Sequence, residues 1–87
     1  MRIDRFLFFV RLARSRTLAQ AIVAAGHVRI DGKRALKPSE EVRAGSVVAL
    51  PLHGEVRILR VEALPARRGP AAEARACYAE IGGREPD

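Results

Sequence analysis

The stretch from residue 15 to residue 32, SRTLAQAIVAAGHVRIDG, decides the fold because it changes from helical to extended periodicity within a few residues. Its first part predicts a helix that Ser15 caps and Gly26 ends. The apolar face of this helix has the expected spacing and consists of Leu18, Ala19, Ile22 and Val23. Polar and apolar residues then alternate from His27 to Ile30, and Asp31-Gly32 is typical of a tight hairpin turn.

Upstream of this stretch, the spacing predicts a first helix from a cap at Asp4 to about Ala13. Its buried stripe would consist of Phe6, Phe9, Val10 and Ala13. Almost no loop separates the two helices, so we expect them to pack on each other as a helical hairpin. Downstream, a short return strand from Lys33 to Leu36 is predicted to end at Pro38.

The second half of the chain predicts two longer strands and a helix. The strands run from Val47 to Leu50 and from Val56 to Leu64, joined by a turn at His53-Gly54. The apolar phase slips within the second strand, which predicts a β-bulge near Ile58 and Leu59. Pro65 breaks this strand.

A closing helix is predicted from Pro70, because Ala74, Cys77, Tyr78 and Ile81 have helical spacing before Gly82-Gly83. The tail from Gly82 to Asp87 is expected to fray. The fold class is therefore α+β: a two-helix N-terminal hairpin packed on a small, mostly antiparallel sheet, with a C-terminal helix. We expect a domain over residues 1–64 and an extension over 65–87 whose short helix packs on that domain.

Composition limits the function classes. The chain has 87 residues and a net charge of +6, which predicts one small basic domain without room for a deep catalytic pocket. Nine basic and two acidic residues lie before Pro38, so the first two-fifths of the chain carry the whole excess. This asymmetry favours a polyanion partner, above all nucleic acid. A lone cysteine, Cys77, and the lack of a long apolar run favour a cytoplasmic protein with no membrane span.

A spaced set of residues in the first half forms a more specific pattern: Arg2-Ile3-Asp4, Ser15-Arg16, Ala19, Ile22, Gly26, Val28-Arg29-Ile30-Asp31-Gly32, Lys37-Pro38-Ser39, Val42 and Gly45-Ser46. This pattern resembles the S4-type RNA-binding domain, named after a protein of the small ribosomal subunit. A second set lies in the tail: Arg67-Arg68, Gly69-Pro70-Ala71, Glu73-Ala74, Tyr78 and Glu80. It is similar to the C-terminal segment of the ribosome-associated heat-shock protein fifteen family.

The resemblance implies that the two helices (an alpha-L motif) and the following hairpin form one RNA-facing surface. It also implies association with ribosomal RNA of the large subunit, in ribosome rescue or recycling under heat stress. Two residues depart from the family pattern. Asp31 replaces the usual Asn and brings a carboxylate to the RNA side, and Ser46 replaces the usual Asp in a turn.

We therefore expect a noncatalytic, monomeric RNA-binding protein with no cofactor, no metal site and no membrane partner. Phosphate neutralisation by arginine and lysine would drive binding, with the N-terminus of the second helix as a phosphate seat. The candidate RNA-binding residues are Arg2, Arg5, Arg11, Arg14, Ser15, Arg16, Gln20, His27, Arg29, Asp31, Lys33 and Lys37. The competing interpretation for these residues is a solvated helix surface, with Ser15 acting only as a cap.

The aromatic residues favour recognition of RNA shape over base stacking. None of the predicted strands carries an aromatic side chain, and Phe8, off the buried stripe, is the single aromatic expected to be exposed. Two other functions stay open. The chain could be a targeting fragment of an RNA-modifying enzyme, which a longer reading frame would reveal, or a module that binds acidic proteins or anionic surfaces, which RNA would not displace.

Overall fold

The computed structural model describes residues 1–84, which contain three helices and five strands. The helices are α1 (Ile3–Phe9), α2 (Arg16–Ala24) and α3 (Ala71–Ala76). The strands are β1 (Arg29–Ile30), β2 (Lys33–Arg34), β3 (Val47–Leu52), β4 (Glu55–Val61) and β5 (Tyr78–Arg84). Neighbouring strands are antiparallel in the order β2-β1-β3-β4-β5, so the predicted α+β architecture is confirmed. Within residues 1–84, no helix is long and apolar enough to cross a bilayer.

Helix α1 begins two residues earlier than the sequence predicts. Its N-cap is Arg2, whose side chain makes no cap hydrogen bond, and Asp4 already lies in the first turn. The Asp4 carboxylate still satisfies one free N–H of that turn, because it accepts a 2.7 Å hydrogen bond from the backbone of Arg5. The interpretation of Asp4 as the N-cap is therefore wrong, although its side chain does bond to the start of the helix.

The same helix ends at Phe9 rather than near Ala13, because Arg11 adopts a left-handed conformation with a φ of 65°. The N–H groups of Arg11 and Leu12 donate to carbonyl oxygens of the last helical turn, those of Phe8 and Leu7. This is the Schellman arrangement, in which glycine usually occupies the left-handed position. The sequence gives no warning of this end, since an arginine stands where glycine is expected.

Helix α2 follows the prediction closely. Ser15 is its N-cap and the hydroxyl accepts a 3.0 Å hydrogen bond from the Leu18 N–H. The last helical residue is Ala24, and Gly26 follows with a φ of 88°. A left-handed glycine just beyond the last turn is a common way to end a helix.

Both predicted hairpin turns are present. Asp31 and Gly32 have φ values of 52° and 84°, and His53 and Gly54 have 52° and 83°. Two consecutive positive φ values are the mark of the type I′ turn that matches strand twist. Strands β1 and β2 are only two residues long, shorter than the predicted His27 to Ile30 and Lys33 to Leu36.

The predicted bulge at Ile58 and Leu59 is present, in the pairing of β4 with β5. The extra residue belongs to β5, because Ile58 pairs with Gly82 and Leu59 with Glu80, which leaves Ile81 between them. Strand β4 itself pairs regularly with β3. The apolar phase slips in the sequence because Val56 lies exposed on the outer face of the sheet, whereas Leu59 lies in the core.

The predicted closing helix is wrong beyond its first turns. Helix α3 ends at Ala76, and the chain returns from Tyr78 to Arg84 as the antiparallel strand β5. The residues Gly82 to Arg84, predicted to fray, pair with β4, and residues 85–87 lie outside the described part of the chain. The C-terminal segment thus extends the sheet of the first domain, while the division at residue 64 stays a prediction.

The core lies between the helices and one face of the sheet. Its largest buried side chains include Phe6, Leu7, Val23, Leu50 and Leu59, which join α1, α2, β3 and β4 in one cluster. The predicted packing of the two N-terminal helices on each other is confirmed. The charged side chain that is fully buried among residues 1–84 is that of Asp4, which belongs to the candidate site.

Candidate nucleic-acid interface

A buried carboxylate holds two arginines and a glutamine at the start of the helical pair. Arg2 donates through Nε and Nη2 to the two oxygens of Asp4, both at 3.0 Å. The Gln20 amide donates to Asp4 Oδ2 at 3.2 Å, and Arg16 Nη2 lies at 3.5 Å from the same oxygen. We call these four residues the Asp4 cluster. The Asp4 side chain is 0% exposed, whereas those of Arg2 and Arg16 are 45% and 38% exposed.

The Asp4 cluster keeps its carboxylate charged and leaves positive charge at the surface. Burial disfavours the charged form, but hydrogen bonds from Arg2, Gln20 and the Arg5 N–H outweigh it, so the pKa of Asp4 lies below its ordinary value. One carboxylate under two guanidinium groups leaves a net charge of +1. The Arg16 Nε atom is also buried without a hydrogen-bond partner among residues 1–84, which is rare for a buried polar atom.

The N-terminus of α2 lies directly beside this cluster. Arg16 is the first helical residue, and the exposed Ser15 caps the helix. Arg14, one residue earlier, is exposed and has no hydrogen bond or ion pair within the described part of the chain. Free backbone N–H groups and arginines at one helix end form an arrangement that can bind an anion.

The segment after β2 reaches the same place through the backbone. The N–H groups of Ile3 and Asp4 donate to the carbonyl oxygens of Glu40 and Pro38, at 2.7 and 3.2 Å. Lys37, which is exposed, therefore lies next to the first turn of α1 in space, although more than 30 positions separate them in the sequence. Hydrogen bonds between residues distant in sequence thus place Lys37, which follows β2, beside helix α1.

The hairpin residues divide between the two faces of the sheet. Arg29 pairs with Ala49, which alternates with the buried Val48 and Leu50, so Arg29 lies on the face away from the helices. Lys33 pairs with Ile30 and lies on the helix side of this short ribbon. His27 is exposed just before β1.

Asp31 has a structural role in the turn. Its Oδ1 accepts a 2.9 Å hydrogen bond from the Val47 N–H, and its own N–H donates to the Val47 carbonyl oxygen at 2.7 Å. The carboxylate that departs from the family pattern is therefore used to join the turn to β3. The second departure, Ser46, is buried, and its hydroxyl accepts a 3.0 Å hydrogen bond from the Arg43 N–H.

Two candidate arginines point to other parts of the molecule. Arg11 Nε donates to the Gly69 carbonyl oxygen at 2.6 Å, so its side chain turns toward the C-terminal segment. The Arg5 guanidinium lies 5.8 Å from the centre of the Phe9 ring. The Asp4 cluster and the α2 N-terminus are contiguous, whereas the Arg11 and Arg29 side chains lead away from them.

The aromatic residues of α1 are covered by arginines. Arg68 lies over the Phe8 ring at 4.7 Å and donates through Nε to the Phe8 carbonyl oxygen at 3.0 Å. Phe8 is consequently half-buried, and the prediction that it is the exposed aromatic is wrong. Tyr78, expected on a helix, instead begins strand β5. Neither the anchoring role of Asp4 nor the cover by Arg68 follows from sequence spacing, because both depend on contacts distant in sequence.

The comparisons with known proteins agree with this arrangement. Residues 1–48, which include the Asp4 cluster and the hairpin, match the family model described as "S4 domain". The class of protein that the fold and the site define is therefore an S4 domain protein. The small ribosomal subunit protein uS4 of Lacticaseibacillus casei is 47% identical over 49 residues, which is 56% of this chain and 24% of that protein.

Other relatives match almost the whole chain. Heat shock protein 15 of Escherichia coli strain K12 is 32% identical over 80 residues, 92% of this chain and 59% of that protein. A trimeric structure of Vibrio cholerae heat shock protein 15 has a TM-score of 0.87 and 32% identity, over 93% of this chain and 81% of that one. The chain belongs to the S4 domain family, in the branch of heat shock protein 15. It spans about three-fifths of the length of the Escherichia coli relative.

Proposed function

We propose that this chain is a noncatalytic RNA-binding protein that docks on structured ribosomal RNA in the cytoplasm. The observation that carries the proposal is the Asp4 cluster, in which a buried carboxylate fixes two partly exposed arginines beside the capped end of α2. The match of residues 1–48 to the S4 domain supports it. Phosphates of the RNA backbone are the ligands that this set of donors fits.

The cluster would act by holding its donors in place before RNA arrives. Arg2 uses Nε and Nη2 on Asp4, and Arg16 uses only Nη2 at a long distance, so each guanidinium keeps donors for a phosphate. Side chains that are already ordered lose less conformational entropy on binding. Arg14 and the free N–H groups of α2 would add contacts next to them.

Shape recognition fits the surface better than base stacking. Phe8 and Phe9 each lie near an arginine of their own chain, Arg68 and Arg5. Proteins that bind flexible single strands place exposed aromatic side chains on their sheets, whereas Tyr78, the aromatic residue of this sheet, is partly buried against the core. We therefore infer that the helical pair binds the backbone of folded RNA.

The finer part of the proposal is the target. We propose docking on the large ribosomal subunit, with a role in ribosome rescue or recycling under heat stress. Similarity to heat shock protein 15 along 92% of the chain supports this branch, because similarity to the small-subunit protein uS4 is limited to 56%. We propose that this chain acts as a monomer, whereas the Vibrio cholerae relative is described as trimeric.

Gradient sedimentation of the tagged protein from cell lysate, with both subunits resolved, tests the proposal. The variant pair Arg14→Gln and Arg16→Gln removes two positive charges at the α2 N-terminus. The matched control pair, Arg43→Gln and Arg60→Gln, removes two exposed charges elsewhere. We expect the wild type and the control to migrate with the large subunit, and the first double variant to migrate free while remaining folded by circular dichroism.

Two results would change this conclusion. Migration of the wild type with the small subunit would replace the target but keep RNA binding, and free migration at low salt would overturn the proposed function.

The salt dependence of RNA affinity gives a second measurement. If about six phosphates of folded, helical RNA are contacted, the logarithm of the affinity should fall against the logarithm of salt concentration with a slope of about −5.

A further inference from the structure

A cationic cleft separate from the Asp4 cluster lies between the end of α1, strand β4 and helix α3. It has a volume of about 280 Å³, and its polar lining consists of Arg11, Arg57, Arg75 and Tyr78. The rest of its lining is Val, Leu and Ala, so no acidic residue lines it. We call it the C-terminal cleft, since three of its four polar residues follow the S4 match, which ends at residue 48.

We propose that the C-terminal cleft binds a backbone phosphate of the same RNA that docks on the Asp4 cluster. The inference rests on the proposed function and adds a site outside the S4 match. Three arginines around one cleft are the arrangement that recognises a phosphate, because each guanidinium presents a planar fork of donors. Glu80, which is not part of the lining, binds Arg57, whereas Arg11 and Arg75 have no acidic partner among residues 1–84.

Arg11 and Arg75 keep guanidinium donors without a hydrogen-bond partner among residues 1–84. Arg57 is the least available of the three, because it is bonded through Nε and Nη2 to Glu80, at 2.8 and 2.6 Å, and also interacts with the Tyr78 side chain. Arg11 uses Nε on the Gly69 carbonyl oxygen, which leaves both Nη atoms. Arg75 is exposed in the last turn of α3 and makes no hydrogen bond or ion pair within the described chain. The cleft with Glu80 therefore carries a net charge of +2.

The backbone at Arg11 fixes the direction of its side chain. A non-glycine residue with a φ of 65° lies in the left-handed region, which is unfavourable for side chains other than glycine. Glycine would end α1 without that strain, yet the side chain present is an arginine fixed at one atom by Gly69. Strained residues cluster at functional sites, where the surrounding structure holds them in place. The strained position is the one that directs a guanidinium into the cleft.

Size and position select the ligand. Sites for small organic ligands usually occupy roughly 300 to 1,000 Å³, and the cleft at about 280 Å³ suits a phosphate with part of its ribose. Leu12, on the cleft, and Ser15, at the α2 N-terminus, are three residues apart, so at most about 11 Å of chain separates them. One RNA strand can therefore contact both places, with the partly buried Tyr78 ring beside its sugar.

The test compares Arg75→Gln with Arg60→Gln in binding to one RNA hairpin. Both changes remove one exposed arginine and its charge. Arg60 lies three residues after Arg57 in β4, and successive side chains of a strand point to opposite faces. Arg60 therefore lies on the face of the sheet opposite the cleft, where it pairs with Glu62. Glutamine preserves the helix propensity of position 75, and circular dichroism checks that both variants fold.

We expect Arg75→Gln to bind about fivefold more weakly than wild type and its salt slope to be shallower by about 0.9. Arg60→Gln should leave both quantities within about twofold and 0.2 of wild type. Crosslinking of RNA that contains 4-thiouridine should label the peptide with Tyr78 in the wild type.

The outcomes separate this proposal from the function on which it rests. If wild type binds the hairpin and Arg75→Gln equals Arg60→Gln in affinity and slope, the cleft proposal is wrong and the Asp4 cluster stands alone. If wild type does not bind the hairpin at low salt, both proposals fail. If Arg75→Gln loses binding only to vesicles of acidic phospholipid, the cleft serves a membrane surface and the RNA assignment is overturned.

Discussion

The Asp4 cluster and the C-terminal cleft each fix an arginine with a carboxylate, but at different depths. The Asp4 side chain is 0% exposed, whereas the Glu80 side chain that holds Arg57 is 44% exposed. A buried carboxylate depends on its partners, because removal of one leaves an uncompensated group out of water. An exposed ion pair is screened by solvent and contributes little. Similar pairs can therefore serve similar binding roles while their contributions to folding differ greatly.

Removal of the two carboxylates is the strongest test of this difference. We expect Asp4→Ala to lower the free energy of unfolding by about 2 to 3 kcal/mol, since it leaves Arg2, Arg16 and Gln20 without their common acceptor. Glu80→Ala should cost less than about 1 kcal/mol. Urea denaturation measures both, and Asp4→Asn, which keeps one acceptor oxygen, provides a milder variant if Asp4→Ala does not fold. Equal losses at the two positions would contradict the comparison.

The next largest effect concerns Arg11, whose backbone is strained and whose side chain joins α1 to the C-terminal segment. Arg11→Ala should lower the free energy of unfolding by about 1 to 2 kcal/mol, because it removes the bond to Gly69 and keeps the left-handed residue. Arg11→Gly should be more stable than Arg11→Ala by about 1 kcal/mol, since glycine tolerates a φ of 65°. Thermal unfolding of both variants measures the difference, and a less stable glycine variant would show that strain at Arg11 is unimportant.

The features of the fold that local chemistry determines could be predicted from the sequence. A serine cap, a glycine beyond the helix, and the Asp31-Gly32 and His53-Gly54 turns each depend on a few neighbouring residues, and all four are present. The closing helix could not be predicted correctly, because Cys77, Tyr78 and Ile81 have helical spacing although Tyr78 and Ile81 belong to strand β5. Pairing with β4 decides for a strand there, and that pairing is a tertiary interaction.

The candidate site shows the same limit. Spacing places Arg16 and Gln20 on one side of α2, four residues apart. It does not show that both meet Asp4, because that contact depends on how α1 packs on α2. The direction of the Arg11 side chain could not be predicted either, because glycine is the usual residue at a left-handed helix end. Long-range packing therefore decides which arginines of a basic sequence act together.

The pH dependence of stability sharpens the comparison through the pKa of Asp4, which lies below its ordinary value of 3.8. Below pH 3.8 the unfolded chain binds more protons at this group than the folded chain, so the stability from Asp4 is present above that pH and is lost as the pH falls through the lower folded pKa. Unfolding measured from pH 6 to pH 2.5 should show this loss in wild type. Asp4→Asn should have a shallower slope below pH 3.8, and an unchanged slope would contradict the role of the buried carboxylate.

Glu80 should give a different profile. Hydrogen bonds from Arg57 hold its pKa below the ordinary value of 4.5, so its contribution begins to fall at a higher pH than that of Asp4. Because the Glu80 side chain is 44% exposed and solvent screens the pair, we expect Glu80→Gln to change the slope of stability against pH just below pH 4.5 only slightly. Asp4→Asn and Glu80→Gln should therefore change the stability in separate parts of the acid range. The change at the buried Asp4 should be the larger of the two.

The smallest effect should appear in RNA binding rather than in folding. Glu80→Gln removes the carboxylate that occupies Nε and Nη2 of Arg57, so the C-terminal cleft gains a full positive charge and two free donors. We expect affinity for the RNA hairpin to rise about twofold to threefold and the salt slope to steepen by about 0.9. Glu62→Gln, which frees Arg60 on the opposite face of the sheet, is the matched control and should change neither quantity. Weaker binding by Glu80→Gln would instead show that the carboxylate positions Arg57 for the phosphate, as Asp4 positions Arg2 and Arg16, and the two sites would then work alike.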